Sequence, residues 1–526
     1  MSLISVSFLF FCIILILLYF IVPKKFQWTI LLLFSGIFYA MAGIKNVIYI
    51  LITALSAWVS ALLIEKIDRG TKKYIKNNLD HITIEEKKLI NKKSKAKRRT
   101  ILVLALLLNI GILCVFKYAN FALDQINAVL GSFGSGFSFN YLSLIVPLGI
   151  SFYTFQTLGY LIDVYWSKNE ACKNPLKLLL FTSFFPQITQ GPISNYSQLS
   201  SQLFSPHNFE YRNLVSGAQR MVWGFFKKIA IADLLAPYVE ATFMNYDQYS
   251  GLTVLIGIFF YSIQIYADFS GYMDIVCGLC RTMGIKLTEN FERPYFSKSI
   301  AEYWRRWHMS LGNWFKTYLY YPIAVSKWNT SLGRKISQKF GRSAGRNLPA
   351  SIALVAVWLT TGLWHGANWG YVVWGGLNGF FIIFSMWMEP CYELLKNKLK
   401  IRGRIWEYTR IVRTFILVTF IKVLPEVGGL GAGLGLWKRI FTNYSIPSSL
   451  HALLPFASKI PMIIIIFGTC LMLLVSIAQE KSSVYNYFNK LPNIARLFCL
   501  SLLVALTIFA RFCMGGSGSG FMYAQF

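Results

Sequence analysis

The sequence has few charged residues, and acidic residues are especially scarce. Charged side chains make up 14% of its 526 residues, and 22 Asp and Glu stand against 52 Lys and Arg. Hydrophobic residues make up 55%, and the mean hydropathy is +0.49. A chain this poor in charge is too apolar for a soluble globular domain, and its repeated apolar runs of about 20 residues match the thickness of a bilayer. We therefore predict an all-α polytopic membrane protein.

Histidine is scarce too, and the common motifs of soluble enzymes are missing. The chain has five His, no ligand spacing typical of zinc, no P-loop and no Gly-x-Ser-x-Gly turn. The nine cysteines lie mostly within apolar runs, and Cys277 and Cys280 are flanked by apolar helix, which favours packing over redox or metal chemistry. We predict no metal site and no tightly bound cofactor, so that any chemistry depends on histidine.

The net charge of +30 does not indicate nucleic-acid binding, because the basic residues cluster between apolar runs. Residues 65–100 alone contain 13 Lys and Arg against 5 Asp and Glu. Such clusters are typical of cytoplasmic loops that face membrane lipids. We predict that 66–100 is a basic cytoplasmic loop and that nucleic acid is not a partner.

The charges between the apolar runs also predict a topology, since each crossing carries the chain to the opposite side. The opening run lacks a basic leader and a small-residue cleavage site, so we interpret it as a retained first crossing. Residues 176–193 are interrupted by proline and glycine and are predicted to be re-entrant. Residues 213–243, which contain Lys227 and Lys228, are predicted to be partly interfacial. The predicted crossings of the cell membrane, about 11 to 12 in number, lie near 3–22, 26–43, 47–64, 101–118, 141–164, 213–243, 251–282, 349–364, 370–388, 409–424, 457–478 and 494–510.

The stretch GLWHGANWG, residues 362–370, places His365 between two apolar runs. An ionisable ring is costly there unless it has a function. A neutral imidazole acts as a general base near pH 7, and a hydroxyl group is a suitable target. The alternative is a structural histidine that forms a hydrogen bond with a neighbouring carbonyl group. We predict the catalytic role for His365.

A second histidine, His308, lies in the basic and aromatic segment 285–346, which we predict to be cytoplasmic or interfacial. One interpretation is an anchoring helix whose arginines contact lipid phosphates. The other is that Arg305 or Arg306 binds the phosphates of a nucleotide-bearing donor, with His308 near its reactive end. Because His308 and His365 approach the membrane from opposite faces, a cavity shared by both would connect the two compartments.

Two carboxylates, Asp268 and Asp274, interrupt the apolar run YADFSGYMDI at 266–275. Charges at membrane depth are paired or face a polar cavity. A carboxylate paired with arginine or with a tyrosine hydroxyl would organise such a cavity without reacting. The remaining histidines, His81, His207 and His451, lie in predicted loops without a specific role.

Six segments together resemble the membrane-bound O-acyltransferase (MBOAT) family, in its branch of alginate O-acetylation (AlgI-like) proteins. The resemblance covers most of the chain and implies an MBOAT-type helical bundle with re-entrant segments around a through-membrane tunnel, in one integral-membrane domain, 1–526. The segments are PLGISFYTFQ at 147–156, Phe185–Gln187 with Gly191–Pro192, YADFSGYMDI at 266–275, Asn290–Phe291 with Pro294, YWRRWHMSLGNW at 303–314 and GLWHGANWGYVVWGGLNG at 362–379.

The resemblance implies that His365 is the catalytic histidine and that His308 supports catalysis or positions the donor. It implies acetyl-CoA as a donor that enters from the cytoplasm, an extracytoplasmic polysaccharide as the acceptor, and an SGNH-type partner protein that completes the transfer. The residues assigned on this basis to donor binding or to the tunnel wall are Trp304, Arg305, Arg306, Asn368 and Asp268.

The chain departs from the family pattern at Lys316–Thr317, where relatives usually have an Arg-Asp pair, so no role of that pair is carried over. The tail, residues 515–526, is predicted to end outside and resembles the Phe-x-Tyr-Phe-Gln-Phe ending of relatives, with Ala524 in place of an aromatic residue. Tyr523 is a candidate acyl relay, and packing of a chain end is the alternative. Two other functions stay open: D-alanyl transfer to a cell-wall polymer, and transport without catalysis.

Overall fold

A computed structural model describes residues 2–134, 136–398, 403–449, 453–454, 458–481, 484–515 and 520–522. The described secondary structure is helical, apart from one isolated antiparallel bridge between Phe291 and Trp307. The chain divides into two compact units, one of residues 1–215 and 279–288 and the other of residues 216–278 and 289–526. The prediction of one integral-membrane domain stays a prediction.

The first unit is built from helices of very different length, because apolar runs alternate with short segments rich in proline and glycine. Helix α9 begins in this unit and continues into the second. The helices are α1 Val6–Ile21, α2 Gln27–Met41, α3 Val47–Asn77, α4 Ile84–Ser132, α5 Ile150–Tyr165, α6 Pro175–Ser183, α7 Phe185–Ile188, α8 Tyr196–Leu203 and α9 Tyr211–Phe225.

The predicted cytoplasmic loop 66–100 is largely helical. Helix α3 continues to Asn77 and α4 begins at Ile84, so a short turn separates them. Thr83 starts α4 with a capping box, in which its hydroxyl accepts a hydrogen bond from the Glu86 N–H and the Glu86 carboxylate accepts one from the Thr83 N–H. Lys, Arg and Glu are good helix formers, which explains why the two helices extend through the charged region.

The crossing predicted at 141–164 begins later than the sequence indicated, because α5 starts at Ile150. Gly149, just before it, has φ +67°, and a Cβ at this position would overlap the carbonyl oxygen of Ile188. Glycine therefore permits both the left-handed backbone and the close approach. The neighbouring helices α6 and α7 have 9 and 4 residues, too few to cross a bilayer, as expected for the segment predicted to be re-entrant.

The second unit contains the rest of α9 and a long series of further helices. Two π-helical stretches, Phe226–Asp233 and Lys316–Tyr320, join neighbouring helices, and α15 is divided at Gly341. The helices are α10 Leu234–Met244, α11 Gly251–Thr282, α12 Ile300–Arg306, α13 Met309–Phe315, α14 Tyr321–Ala324, α15 Lys327–His365, α16 Trp369–Trp387, α17 Glu389–Lys398, α18 Arg404–Val423, α19 Leu430–Thr442, α20 Lys459–Lys481, α21 Val484–Lys490 and α22 Asn493–Cys513.

Seven helices in the described part of the chain are long and apolar enough to cross a membrane, which confirms the prediction of a multi-pass membrane protein. The predicted crossings at 26–43, 213–243 and 409–424 coincide with helices that are shorter, interrupted or richer in charge. The count of about 11 to 12 crossings therefore stays a prediction. The seven helices are Ile44–Asn77, Ile84–Ser132, Gly251–Thr282, Lys327–His365, Trp369–Trp387, Lys459–Glu480 and Asn493–Cys513.

Candidate active site

His365 is the last residue of α15, at a tight turn into α16. The turn is fixed by Asn368, whose Oδ1 accepts a hydrogen bond of 2.6 Å from the Gly370 N–H and so caps α16. A Cβ on Gly366 would overlap the ring of Tyr371. The small residue between the two helices therefore lets the Tyr371 ring approach the histidine.

Aromatic rings surround the His365 imidazole, which is buried. Tyr371 stacks on it with an interplanar angle of 15° and a centroid distance of 6.2 Å. Trp364 and Trp374 approach edge-on, each with a centroid distance of 4.9 Å. Such packing holds the imidazole in one orientation.

A small cavity, about 20 Å³ in volume, lies beside His365. Trp304, Trp307 and Tyr371 line it together with two charged residues, Lys422 and Glu426. This space suffices for about one water molecule, and a thioester enters only if the surrounding side chains move. The through-membrane tunnel implied by the resemblance stays a prediction.

Lys422 and Glu426 were not singled out in the sequence, although their spacing of four at the end of an apolar run is a usable signal. The Lys422 Nζ donates a hydrogen bond of 2.8 Å to the Tyr303 hydroxyl and lies 3.9 Å from the ring centroid of Trp307. Glu426 accepts a hydrogen bond of 3.2 Å from the Tyr371 hydroxyl. Burial raises the pKa of Glu426 to about 7. The hydrogen bonds from Tyr261 and Tyr371 and the Lys422 charge act in the opposite direction.

His308 lies between α12 and α13 in a left-handed backbone conformation, with φ +48° and ψ +52°. Its buried ring stands edge-on to Phe269, with a centroid distance of 5.0 Å, and lies 6.2 Å from the ring of Trp364. His308 and His365 thus pack against the same indole. Burial lowers the pKa of His308 to about 3, so its imidazole is neutral near pH 7.

Asn290 fixes the backbone directly after His308. Its main-chain carbonyl accepts a hydrogen bond of 3.1 Å from the Met309 N–H, and its side-chain oxygen accepts one of 2.9 Å from the Ser310 N–H. These contacts satisfy two N–H groups in the first turn of α13. The adjacent Phe291 forms the isolated bridge with Trp307, the residue before His308, so the Asn-Phe segment contacts the main chain both before and after the second histidine.

The residues assigned to donor binding do not converge on one place. Trp304 lines the cavity at His365 and donates a hydrogen bond of 2.9 Å to Asn378. Arg306 forms an ion pair of 2.7 Å with Glu302, one turn earlier on α12, whereas Arg305 is exposed. Asn368, as described above, caps α16. The structure therefore places Trp304 at the candidate site, and the donor-binding roles stay predictions.

Lys227 and Lys228, in the segment predicted to be partly interfacial, are buried and paired with the aspartates of α11. The Lys227 Nζ lies 2.7 Å from the Asp274 carboxylate. The Lys228 Nζ lies 2.7 Å from Asp268 and 2.6 Å from Asp233. Carboxylates on α11 and on their own segment supply the opposite charge that burial demands, and the prediction that 213–243 is partly interfacial stays a prediction.

A polar cavity of about 110 Å³ lies next to this ion-pair network. Arg220 binds Glu289 in a bidentate manner, with N–O distances of 2.7 and 2.6 Å, and donates to Asp274 at 2.8 Å. Lys227 and Arg293 also line the space. Its volume is enough for several water molecules.

Two of the remaining histidines lie in the first unit. His81 is exposed. In the first unit, His207 Nδ1 forms a hydrogen bond of 2.9 Å with the Tyr19 hydroxyl, and its backbone is held by the Gln27 side chain. His207 therefore has a structural role that its position in a loop did not indicate. His451 lies outside the described residues.

Comparison with known proteins now identifies the family. The model of the membrane-bound O-acyltransferase (MBOAT) family matches residues 172–423. The teichoic acid D-alanyltransferase of Bacillus subtilis (strain 168) is 30% identical over 288 residues, which are 53% of this chain and 68% of that relative. The chain belongs to the membrane-bound O-acyltransferase family.

Two further relatives are more similar in sequence but extend further than this chain matches. The probable alginate O-acetylase AlgI of Azotobacter vinelandii is 36% identical over 278 residues, 53% of this chain and 52% of the relative. The peptidoglycan O-acetyltransferase of Helicobacter pylori is 34% identical over 311 residues, 54% of this chain and 55% of the relative. The chain thus spans about half the length of these two relatives, and the MBOAT match contains both His308 and His365.

Proposed function

We propose that this MBOAT protein is an O-acetyltransferase that moves an acetyl group from cytoplasmic acetyl-CoA towards hydroxyl groups of an extracytoplasmic polysaccharide. The observation that carries the proposal is the position of His365, buried in an aromatic cavity that also contains Lys422 and Glu426. The names of the alginate and peptidoglycan relatives support acetyl as the group and a polymer as the acceptor.

In the proposed reaction, His365 takes the proton of the accepting hydroxyl as its oxygen attacks the thioester carbonyl. The tetrahedral adduct then collapses, the carbon–sulfur bond breaks, and the CoA thiolate takes the proton back from the imidazolium. General base catalysis of this kind contributes about 10²- to 10⁴-fold in rate. The Lys422 ammonium in the cavity wall stabilises the negative charge on the carbonyl oxygen.

His308 acts in this proposal as a neutral residue that positions the site through Trp364. It contacts the same indole as His365, and its low pKa keeps it from carrying a proton between groups near neutral pH. Of the two arginines assigned to the CoA phosphates, Arg305 is the better candidate, because Arg306 is already paired with Glu302. Acetyl-CoA is a substrate and no other cofactor is required.

The second half of the reaction passes the acetyl group to the outside. We propose that Tyr523, which lies outside the described residues, receives it and that an SGNH-type partner protein completes transfer to the polysaccharide. Intact-protein mass measurement after incubation with acetyl-CoA tests the relay. An acetyl adduct is expected in the wild type and absent in Tyr523→Phe, and an adduct that persists in the variant would exclude it.

A second candidate is D-alanyl transfer to a cell-wall polymer, which the match to the Bacillus subtilis relative favours. It uses the same residues on a different thioester. Comparing donors separates the two candidates: acetyl-CoA and a D-alanyl thioester of a carrier protein are each offered to the purified protein in lipid nanodiscs, and release of thiol is measured.

Acetyl-CoA turnover that is lost in His365→Ala, and kept in the matched surface variant His81→Ala, is the result expected for an acetyltransferase. Turnover of the D-alanyl thioester alone would replace acetyl by D-alanyl. Acetyl-CoA turnover at the wild-type rate in His365→Ala, with the protein still folded, would overturn the assignment of the site. A protein that turns over neither donor would leave transport as the better account.

A further inference from the structure

Residues 520–522 of the tail lie against a buried ion cluster. The main-chain carbonyl of Gly520 accepts a hydrogen bond of 3.0 Å from the Lys228 Nζ, and the main-chain N–H of Met522 donates one of 3.1 Å to the Asp268 carboxylate. The buried ring of Phe521, between them, lies 4.6 Å from the same Nζ. Both hydrogen bonds involve main-chain groups of the tail, as is common where a protein binds a peptide segment.

The cluster that binds the tail is assembled from two helical segments. Lys228 and Asp233 both belong to the π-helical stretch Phe226–Asp233, whose i to i+5 repeat places them on one face, at an N–O distance of 2.6 Å. Asp268 comes from α11 and lies 2.7 Å from the same ammonium. All three side chains are almost completely buried, with 0 to 1% exposed.

The charges of the cluster explain why a main chain fits there. One ammonium stands between two carboxylates, so an ionised cluster carries an excess negative charge. A backbone N–H aimed at Asp268 complements that charge, and the Gly520 carbonyl accepts one of the protons of Lys228. The tail therefore supplies one donor and one acceptor to groups that burial has withdrawn from water.

The same face of α11 reaches the candidate active site. Ile265, Asp268, Phe269 and Tyr272 are spaced i, i+3, i+4 and i+7, which puts them on one side of the helix. Ile265 lines the cavity at His365, Phe269 contacts the ring of His308, and Tyr272 stands edge-on to Phe521 with a centroid distance of 5.1 Å. Ile265 and Asp268 are separated by about 4.5 Å along the helix axis.

We propose that Lys228, Asp233 and Asp268 form a receptor for the main chain of the tail and act as positioning residues for the next residue, Tyr523. The cluster contacts the peptide groups of the tail and the Phe521 ring, so binding does not depend on the side chain at position 522. By fixing Gly520 and Met522 beside α11, the receptor would position Tyr523, which follows Met522 in the chain, for the proposed acyl relay. The docking stands on its own, whereas this catalytic consequence rests on the proposed function.

Hydrogen exchange of the full-length protein in nanodiscs tests the docking. The Met522 amide is expected to exchange at least tenfold more slowly than in a peptide of residues 515–526, because Asp268 accepts its hydrogen bond. In Asp268→Asn the side chain presents an amide in place of one oxygen, and exchange should rise to the rate of the peptide. Asp274→Asn is the matched control, since Asp274 lies on the same helix and pairs with Lys227, and exchange at position 522 should not change.

A slow Met522 amide in Asp268→Asn, or a fast one in the wild type, refutes the receptor. If Asp268→Asn does not fold, as judged by the amides of α16, Phe521→Ala takes its place because it leaves the ion cluster intact. The same acceleration is expected there, and unchanged exchange again refutes the proposal.

A second pair of variants tests the positioning role through acetyl transfer. Met522→Pro removes the N–H that Asp268 accepts, while Met522→Ala keeps it, and neither alters the cluster. Transfer beyond the protein is expected to be at least tenfold lower in Met522→Pro than in Met522→Ala. Equal transfer by both refutes positioning, whereas a wild type without any transfer contradicts the proposed function and leaves the exchange result to decide the docking.

Discussion

The hydroxyl of Tyr371 donates a hydrogen bond to the carboxylate of Glu426, at 3.2 Å, while the ring of the same tyrosine stacks on His365. One side chain thus joins α16, which contacts the histidine, to an acidic residue beyond the end of α18. Because burial raises the pKa of Glu426 to about 7, the charge on this carboxyl changes within the pH range in which an acyltransferase works. The strength of the hydrogen bond from Tyr371 is therefore expected to change with pH.

Replacing Glu426 by Gln should change how stability depends on pH. The pKa of the carboxyl is ordinarily near 4.5 and is raised to about 7 in the folded protein, so between these values the unfolded chain has lost the proton that the folded chain still holds. The Glu426 carboxyl should therefore add to the wild type a fall in the free energy of unfolding as pH rises from about 4.5 to 7, with a slope of up to about 1.4 kcal/mol per pH unit. Glu426→Gln should lack this slope.

Thermal unfolding in detergent at pH 4.5 to 8 measures the effect. Glu393→Gln, on the exposed side of α17, is the control and should follow the wild type. If the melting temperatures of the wild type and Glu426→Gln run parallel across this range, the Glu426 carboxyl titrates as it would in water.

His308→Asn should change the pH dependence of stability in the opposite direction. Burial lowers the pKa of His308 to about 3 from an ordinary value of 6.5, so below pH 6.5 the unfolded chain binds a proton that the folded chain does not. His308 by itself should therefore lower the free energy of unfolding by about 1.4 kcal/mol per pH unit as pH falls from 6.5 towards 4, which opposes the contribution of Glu426 in the same range. Asn tolerates the left-handed backbone of this position. As pH falls, the His308→Asn variant should therefore become more stable relative to the wild type. His81→Asn, at an exposed position, should show the same pH dependence of stability as the wild type.

Gly366→Ala should reduce activity by displacing the Tyr371 ring. A Cβ at this position overlaps that ring, so the ring must leave its stacked position on His365. We expect acetyl transfer to fall about tenfold or more, in line with the contribution of a correctly held base. Gly376→Ala, on the following helix, meets no atom within 4 Å and should leave transfer unchanged. Equal activity of the two variants would show that the stacked ring does not matter.

Trp304→Phe should separate donor binding from stability. It keeps an aromatic ring in the cavity wall but removes the hydrogen bond to Asn378, which we expect to cost about 1 kcal/mol. Trp387→Phe loses a comparable hydrogen bond to Ser351 away from the cavity. Both should lower the melting temperature, and Trp304→Phe alone should raise the KM for acetyl-CoA. An equal KM in both variants would remove Trp304 from the donor site.

The histidine motif shows how much of the candidate site the local sequence predicts. The spacing of GLWHGANWG was enough to place His365 at the turn of a helical hairpin, because glycine and asparagine end one helix and start the next. It was not enough to reveal Lys422 and Glu426, which are more than fifty residues away in the chain. They line the cavity because of which helices pack against each other, and residue spacing does not indicate which helices are neighbours.

Lys227 and Lys228 illustrate the same limit on the scale of the fold. In the sequence they interrupt an apolar run, and the interface is the usual place for such residues. In the structure they are buried, because Asp274 and Asp268 of α11 lie opposite them. The sequence predicted that the two aspartates are paired or face a polar cavity. Only the tertiary contacts identify Lys227 and Lys228 as their partners.

By itself, the sequence determined that this protein is a bundle of membrane helices with a histidine motif between two of them. That much follows from local rules, since the bilayer demands long apolar helices and every peptide group in it must find its partner within its own helix. The tertiary structure decided which charges meet, how small the cavity at His365 is, and that the tail is held by Lys228 and Asp268. Those features depend on side chains far apart in the chain, whose energies are set by burial and by the partner they find.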